Sequence, residues 1–186
     1  MLNLLNQNYM PPIETQRLLL RKLTLDDAED LYEYSRDERV AKYVLWRAHE
    51  SIADTKFFLR CVQRQYRQYD KTAPYGITLK DSGKVIGTIS FSYVAGDRSS
   101  AEIGYSLSHD YWNMGYMTEA LKAVIDYSFK ELYIHRIEAV HDVRNIASGH
   151  VMRKCGMKLE GTMRDKLINK GEYITVNMYA IINPND

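Results

Sequence analysis

Only two cysteines, Cys61 and Cys155, and four prolines occur in the 186 residues. Two thiols without ligand-like spacing exclude a disulfide framework or a thiolate metal cluster, and the expectation is two buried thiols inside helices. There is no excess charge of one sign either: 25 Lys and Arg stand against 24 Asp and Glu, for a net charge of +1. The balance holds locally, with 15 against 13 up to residue 100 and 10 against 11 beyond it. A polycationic face for nucleic acid is therefore not expected. No stretch reaches the roughly 18 apolar residues that a membrane span needs, and the opening residues lack a basic leader. The expected setting is soluble, reducing and cytoplasmic. His109, His135, His141 and His150 show no metal-ligand spacing, so no metal is implied. With no repeat, low-complexity tract or long polar interruption, the chain reads as one domain, 1–186, with a core over about 14–182. A chain of this length buries about two-thirds or more of its unfolded surface without staples.

What is present is a clear succession of periodic segments. Arg17 to Arg21 reads as a strand. Thr24 with Asp27, and Ser51 with Asp54, are N-cap signatures that open helices over about 25–36 and from 52 onward, where Ile52, Thr55, Leu59, Val62, Tyr66 and Tyr69 recur at helical spacing. Val40 to Glu50 has no period but holds Tyr43 and Trp46, an aromatic loop of the kind that forms the lip of a cleft or packs onto the domain. Tyr75 to Leu79 and Val85 to Tyr93 form a hairpin across Asp81 to Lys84. A third strand follows the turn at Gly96 and Asp97. It places Ala101, Ile103, Tyr105 and Leu107 on one face and Glu102, Gly104 and Ser106 on the other. A helix from Gly115 to Glu131, a strand at His135 to His141, a helix capped by Asn145 and ended by Gly156, and two strands joined through Asn169, Lys170 and Gly171 complete the chain. A strand, helix and strand in succession implies one parallel pair, so the class is α+β with a mainly antiparallel sheet and about four flanking helices.

The segment from Leu107 to Thr118 carries the most chemistry. Gly115 lets the backbone turn at a helix mouth, and the unpaired N–H groups of the first turn then suit a phosphate. Taken by itself this is a weak signal, because neither a Gly-x-Gly-x-x-Gly nor a Walker pattern is present.

Several stretches taken together resemble the GNAT superfamily of acyl-CoA N-acyltransferases, and within it the Rim-type acetyltransferases of ribosomal-protein N-termini. They are Glu14-Thr-Gln-Arg-Leu-Leu-Leu-Arg21, Ala101-Glu-Ile-Gly-Tyr105, Gly115-Tyr-Met-Thr-Glu-Ala-Leu121, Asn145-Ile-Ala-Ser148, Lys154-Cys-Gly-Met157, Glu160-Gly161 and Asn177-Met-Tyr-Ala180. The resemblance implies acetyl-CoA as co-substrate and a central parallel pair that splays to admit the pantetheine arm. The backbone of Asn113, Met114, Gly115, Tyr116, Met117 and Thr118 would cradle the pyrophosphate. Tyr105, Ser106 and Leu107 would line the arm, and Asn145 would both cap its helix and touch the coenzyme. Two departures stand out. The usual Gln/Arg-x-x-Gly-x-Gly/Ala becomes Trp112-x-x-Gly115-x-Met117, which adds bulk near the phosphate. Met152 stands where many relatives place a Tyr that protonates the departing thiolate, and by the same resemblance Ser148 is the candidate to replace it. Its alternative is a structural hydroxyl at a helix start.

Transfer to an amine needs a neutral nucleophile. An α-amine with a pKa near 8 is partly neutral at pH 7, whereas a lysine near 10.4 must shed its proton at a cost of roughly 4 kcal/mol. Glu102 is the candidate base, acting through water, or else a contact to a cationic substrate or a partner of Arg136. The expected acceptor is a protein N-terminus, with small amines as the alternative and an inactive acyl-CoA-binding module as a minor one. Tyr43 and Trp46 are the expected substrate lip. Arg36, Arg39 and Lys42 are a small basic cluster that would disfavour a polyamine. Monomer and homodimer are both compatible with the sequence.

Overall fold

The capping signals in the sequence open helices in the computed structural model, which describes residues 10–67, 73–94 and 97–186. Thr24 and Asp27 cap each other reciprocally and start a single 3-10 turn that runs into α1 (Ala28–Ser35). Asp27 also accepts from Arg21 Nη1 and Nη2 at 2.9 and 2.7 Å, which ties the helix start to the preceding strand. Burial alone would raise the Asp27 carboxyl, but the Arg21 guanidinium and the Thr24 N–H outweigh it and hold it below the usual range. The segment expected to be a loop begins with a short helix, α2 (Glu38–Ala41), because Asp37 accepts from Arg39 N at 2.9 Å and caps it. Val40 and Ala41 therefore belong to a helix, and the irregular chain is confined to residues 42–50. The nearby basic cluster is engaged locally: Arg39 pairs with Asp37, Arg36 lies over the Tyr32 ring and Lys42 over the Tyr43 ring. Ser51 N and Oγ donate to Asp54 at 2.9 and 3.1 Å and open α3 (Ile52–Arg67). Tyr69 and Gly96 lie outside the described residues.

Eight strands make one sheet: β1 (Ile13–Glu14), β2 (Leu18–Arg21), β3 (Tyr75–Leu79), β4 (Val85–Val94), β5 (Asp97–Leu107), β6 (Arg136–Asp142), β7 (Lys158–Asn169) and β8 (Glu172–Ile182). Their order is β1-β2-β3-β4-β5-β6-β8-β7, and every neighbour is antiparallel except the β5–β6 pair. Helices α4 (Tyr116–Lys130) and α5 (Ile146–Lys154) bring the α-helices among the described residues to five, one more than the sequence led us to expect, and the extra one is α2. Lys170 and Gly171 both have positive φ, 53° and 92°, the requirement of the tight turn between β7 and β8.

A register shift at the start of β4, where Gly87 and Val85 face the consecutive residues Ile77 and Thr78 of β3, divides its apolar residues between two cores. Val85 packs with Leu23, Leu31, Tyr34, Leu59 and Val62 beneath α1 and α3, while Ile86 joins the core of α4 with Leu121, Val124 and Ile137. Met117, Ala120, Leu121, Val124 and Ser128 of α4 are all buried, as their spacing requires. Cys155 is buried, and desolvation pushes its thiol up to about 11. Cys61, expected to be buried, is exposed, because α3 turns Thr55, Leu59 and Val62 inward and leaves position 61 on the outer side.

Candidate active site

The parallel pair is brief. β5 and β6 match only at Ser100, Ala101 and Glu102 opposite Arg136, Ile137 and Glu138. Beyond that point β5 stays paired with β4 as far as Leu107, and on its other edge residues 103–107 have no strand partner. Five residues without a strand partner on this side, at about 3.3 Å each, leave a wedge edge about 17 Å long.

Helix α5 closes the far side of this wedge. Asn145 caps it, accepting from Ser148 N at 3.3 Å while its own N–H donates to Asp142 O at 2.7 Å. A Cβ on Gly149 would lie 2.8 Å from His141 Nε2, so a glycine there lets the helix start sit flush on β6. The His141 ring is buried, with Nδ1 2.7 Å from the Asp142 carbonyl. Across the wedge the Tyr105 hydroxyl lies 2.9 Å from Ser148 Oγ and donates to the Ser148 carbonyl at 3.2 Å. Burial raises the Tyr105 phenol far above its ordinary value and keeps it protonated. Met152 is a core residue. The hydroxyls available at this depth are thus those of Tyr105 and Ser148, and sequence reasoning had paired neither with the other.

Glu102 stands on the opposite face of β5 from Tyr105, at the last paired position before the wedge opens. Its parallel neighbour in register is Glu138, which sequence reasoning missed. Arg136 does not pair with Glu102; its Nε donates to Glu138 at 2.6 Å and its Nη1 to Glu160 at 2.9 Å. Partial burial, then the charge of Glu138, raises the Glu102 carboxyl against the opposing pull of Lys166. Glu102 is therefore a carboxylate made more basic than usual, with its open side towards solvent.

Past Leu107 the chain turns through a loop that leaves a cradle of main-chain N–H groups at the start of α4. Asn113 and Gly115 have φ of 61° and 81°, and the first intrahelical bond of α4 runs from Glu119 N to Gly115 O at 3.0 Å. The N–H groups of Tyr116, Met117 and Thr118 precede that bond and remain available to an anion. Met117 was expected to crowd the phosphate, but its side chain turns into the core and leaves only the main chain at the cradle. Trp112 replaces the usual polar residue and braces the loop, its Nε1 donating to Leu107 O at 2.8 Å and its ring lying 4.7 Å from that of His109. Met114 projects outward at the rim.

Other expected residues divide. The Ser106 side chain faces away from α5, buried with Thr88 Oγ1 at 3.2 Å. Leu107 is in the core. Trp46 packs against the α1–α3 core with its ring 5.8 Å from that of His49, anchoring the loop instead of lining a lip, while Leu45 is 64% exposed. Tyr43 remains half-buried on the loop, whose start is held by a hydrogen bond from Lys170 Nζ to the Ala41 carbonyl. Among the described residues no group of three His, Cys, Asp or Glu is placed to hold a metal, and no helix is long and apolar enough to cross a membrane.

A sheet whose single parallel pair opens beside a glycine-led helix start offers an open strand edge next to a set of main-chain N–H groups suited to an anion. The family described as acetyltransferase (GNAT) domain matches residues 17–158, and the chain belongs to it. It is 31% identical over 176 residues to the uncharacterized N-acetyltransferase YoaA of Bacillus subtilis, covering 95% of this chain and 99% of the relative. Over 111 residues it is 32% identical to the ribosomal protein uS5 alanine N-acetyltransferase of Escherichia coli, covering 59% and 57%. Among solved structures, the microcin C7 self-immunity acetyltransferase MccE in complex with acetyl-CoA and AMP superposes with a TM-score of 0.79 at 25% identity, covering 90% of this chain and 93% of that one. The protein is an N-acetyltransferase with acetyl-CoA as its co-substrate.

Proposed function

We propose that the protein acetylates a primary amine, foremost the N-terminal α-amine of a protein of the ribosomal type, by direct attack within a ternary complex. The observation that carries this reading is the placement of Glu102 and of the Tyr105–Ser148 pair on opposite faces of β5 at the wedge. The main chain of residues 103–107 would hold the pantetheine arm, the loop from Asn113 to Thr118 the pyrophosphate, and Asn145 the coenzyme from the start of α5. Glu102, on the other face, meets the acceptor. Its raised basicity suits removal of a proton from an ammonium group. The amine nitrogen forms its bond to the acetyl carbon as the carbon–sulfur bond breaks. The amine proton passes to Glu102 through water, and the departing sulfur takes a proton from Ser148 Oγ, which regains one from solvent. Tyr105 holds that oxygen in place. The similarity to the uS5-alanine enzyme favours a peptide acceptor.

Replacing Ser148 with Ala should lower kcat about tenfold, less than the ~10²-fold usual for a lost general acid because a thiolate is a good leaving group. Tyr105→Phe should lower it about threefold by leaving Ser148 Oγ unanchored. Single-turnover rates with saturating acetyl-CoA read this; an unchanged rate in Ser148→Ala would remove the serine from the proton path.

The acceptor is tested by incubating the protein with acetyl-CoA and a pool of peptides that have varied first residues and internal lysines, then locating the added 42 Da by mass spectrometry, where the mass is roughly that of acetyl replacing hydrogen and an α-amine cost near 1 kcal/mol favours the N-terminus. Acetyl on particular N-termini is the expected result. Acetyl on lysines alone, or on small amines alone, would overturn the peptide reading.

A further inference from the structure

Arg17, at the start of β2, reaches across the sheet edge to the anion cradle. Its Nη1 donates to the carbonyl of Met114 at 3.0 Å and its Nε to Glu119 Oε2 at 2.7 Å. Its backbone N–H donates to Glu119 Oε1 at 2.8 Å, and Thr15 Oγ1 donates to the same oxygen at 2.6 Å. The guanidinium also lies 4.1 Å from the centre of the Tyr116 ring. Nη2 sits 3.5 Å from where a Cβ of Gly115 would be, and makes no hydrogen bond to a described residue.

Two consequences follow from elementary geometry. In a trans peptide the C=O and N–H point in opposite directions. Holding the Met114 carbonyl on the Arg17 side therefore turns the Gly115 N–H away from Arg17. Glycine at φ 81° has little intrinsic preference for that peptide orientation over the flipped one, which would present a carbonyl to the phosphate instead. Second, Glu119 lies in the first turn of α4, where a free carboxylate would repel the anion that the turn attracts. Three donors, one from Thr15 and two from Arg17, occupy that carboxylate, and the guanidinium cancels its charge locally.

We infer that Arg17 is a positioning residue for the coenzyme A pyrophosphate: it fixes the Met114–Gly115 peptide so that the cradle presents donors only, and it neutralises the one carboxylate in the first turn of the phosphate-binding helix. The inference rests on the assignment of the Asn113–Thr118 loop to the pyrophosphate. The role is confined to the phosphate end, because the side-chain contacts of Arg17 go to Met114, Tyr116 and Glu119 and none goes to Glu102 or Ser148.

The test compares acetyl-CoA with S-acetylpantetheine, which carries the same thioester without the pyrophosphate. Arg17→Ala should raise KM for acetyl-CoA about tenfold, leave kcat within about twofold, and leave KM for S-acetylpantetheine unchanged, the size expected for loss of one charge-assisted anchor. Arg17→Lys, which can reach Met114 O or Glu119 but not both, should restore part of the affinity, to about threefold below wild type. Thermal stabilisation by CoA alone, without any acceptor, should fall in the same order. An equal loss with both thioesters, or no change with acetyl-CoA, overturns the inference. Asn113→Asp separates the two layers of the argument: it adds a negative charge to the loop at a φ that Asp tolerates. If Asn113→Asp weakens CoA binding and Arg17→Ala does not, the role of Arg17 is wrong and the cradle stands. If neither substitution weakens binding, the pyrophosphate lies elsewhere and both fail.

Discussion

Glu102→Gln is expected to lower kcat/KM at pH 7 by about 10²-fold with an α-amine peptide as acceptor, the usual cost of a lost general base. The change is isosteric and removes a charge that stands beside Glu138, so the melting temperature should hold or rise slightly. The pH profile supplies the second readout. A base works when deprotonated, so activity should rise with pH through the Glu102 pKa. Partial burial and Glu138 raise that pKa, and the acidic limb should therefore sit above the ordinary glutamate range. In Glu102→Gln that limb should vanish. A fall of less than about threefold with KM raised would instead make Glu102 a contact for a cationic acceptor.

Gly87→Ala is expected to be the most damaging of the conservative changes in the strands. Gly87 lies opposite Leu107, and a Cβ there would come within 2.4 Å of the Ser106 carbonyl oxygen and 3.1 Å of Leu107 Cα. Both are backbone atoms, so no rotamer relieves the clash and β4 must part from β5 at the end that borders the wedge. We expect a loss of about 3 kcal/mol, at the upper end for overpacking, and a fall in Tm on the order of 6–12 °C. The Leu107 carbonyl also holds Trp112 Nε1, so KM for acetyl-CoA should rise with the loss of stability. Gly161→Ala is the control, since nothing lies within 4 Å of its added Cβ. Equal melting temperatures for the two variants would show that β4 and β5 can part here without cost.

Both substitutions act where a strand's pairing changes, and that is where sequence reasoning reached its limit. The caps at Thr24, Ser51 and Asn145, the inner stripe of α4 and the glycine at its mouth were legible, because each satisfies backbone groups or an apolar face within a few residues of chain. Alternation assigned Glu102 and Tyr105 to opposite faces of β5 correctly. The aromatic loop was half legible. Its lack of period was visible, but the Asp37 cap that makes Val40 and Ala41 helical lies just outside it, and nothing local said that Trp46 would turn into the α1–α3 core. Cys61 was misread for a similar reason: a thiol's preference for burial is weak beside the phase of the helix that carries it.

By itself, then, the sequence determined the order and type of most of the elements, the glycine at the mouth of α4 and the resemblance to the GNAT acetyltransferases. It did so because hydrogen-bond satisfaction and amphipathic period are properties of neighbouring residues. Only the tertiary structure decided that Glu138 stands beside Glu102, that Tyr105 meets Ser148 across 43 residues of chain, and that Arg17 holds Glu119 across 102. Those contacts depend on which strands pair, in what register and where the pairing stops. Register is set by the packing of the whole sheet, and no short window of sequence contains it.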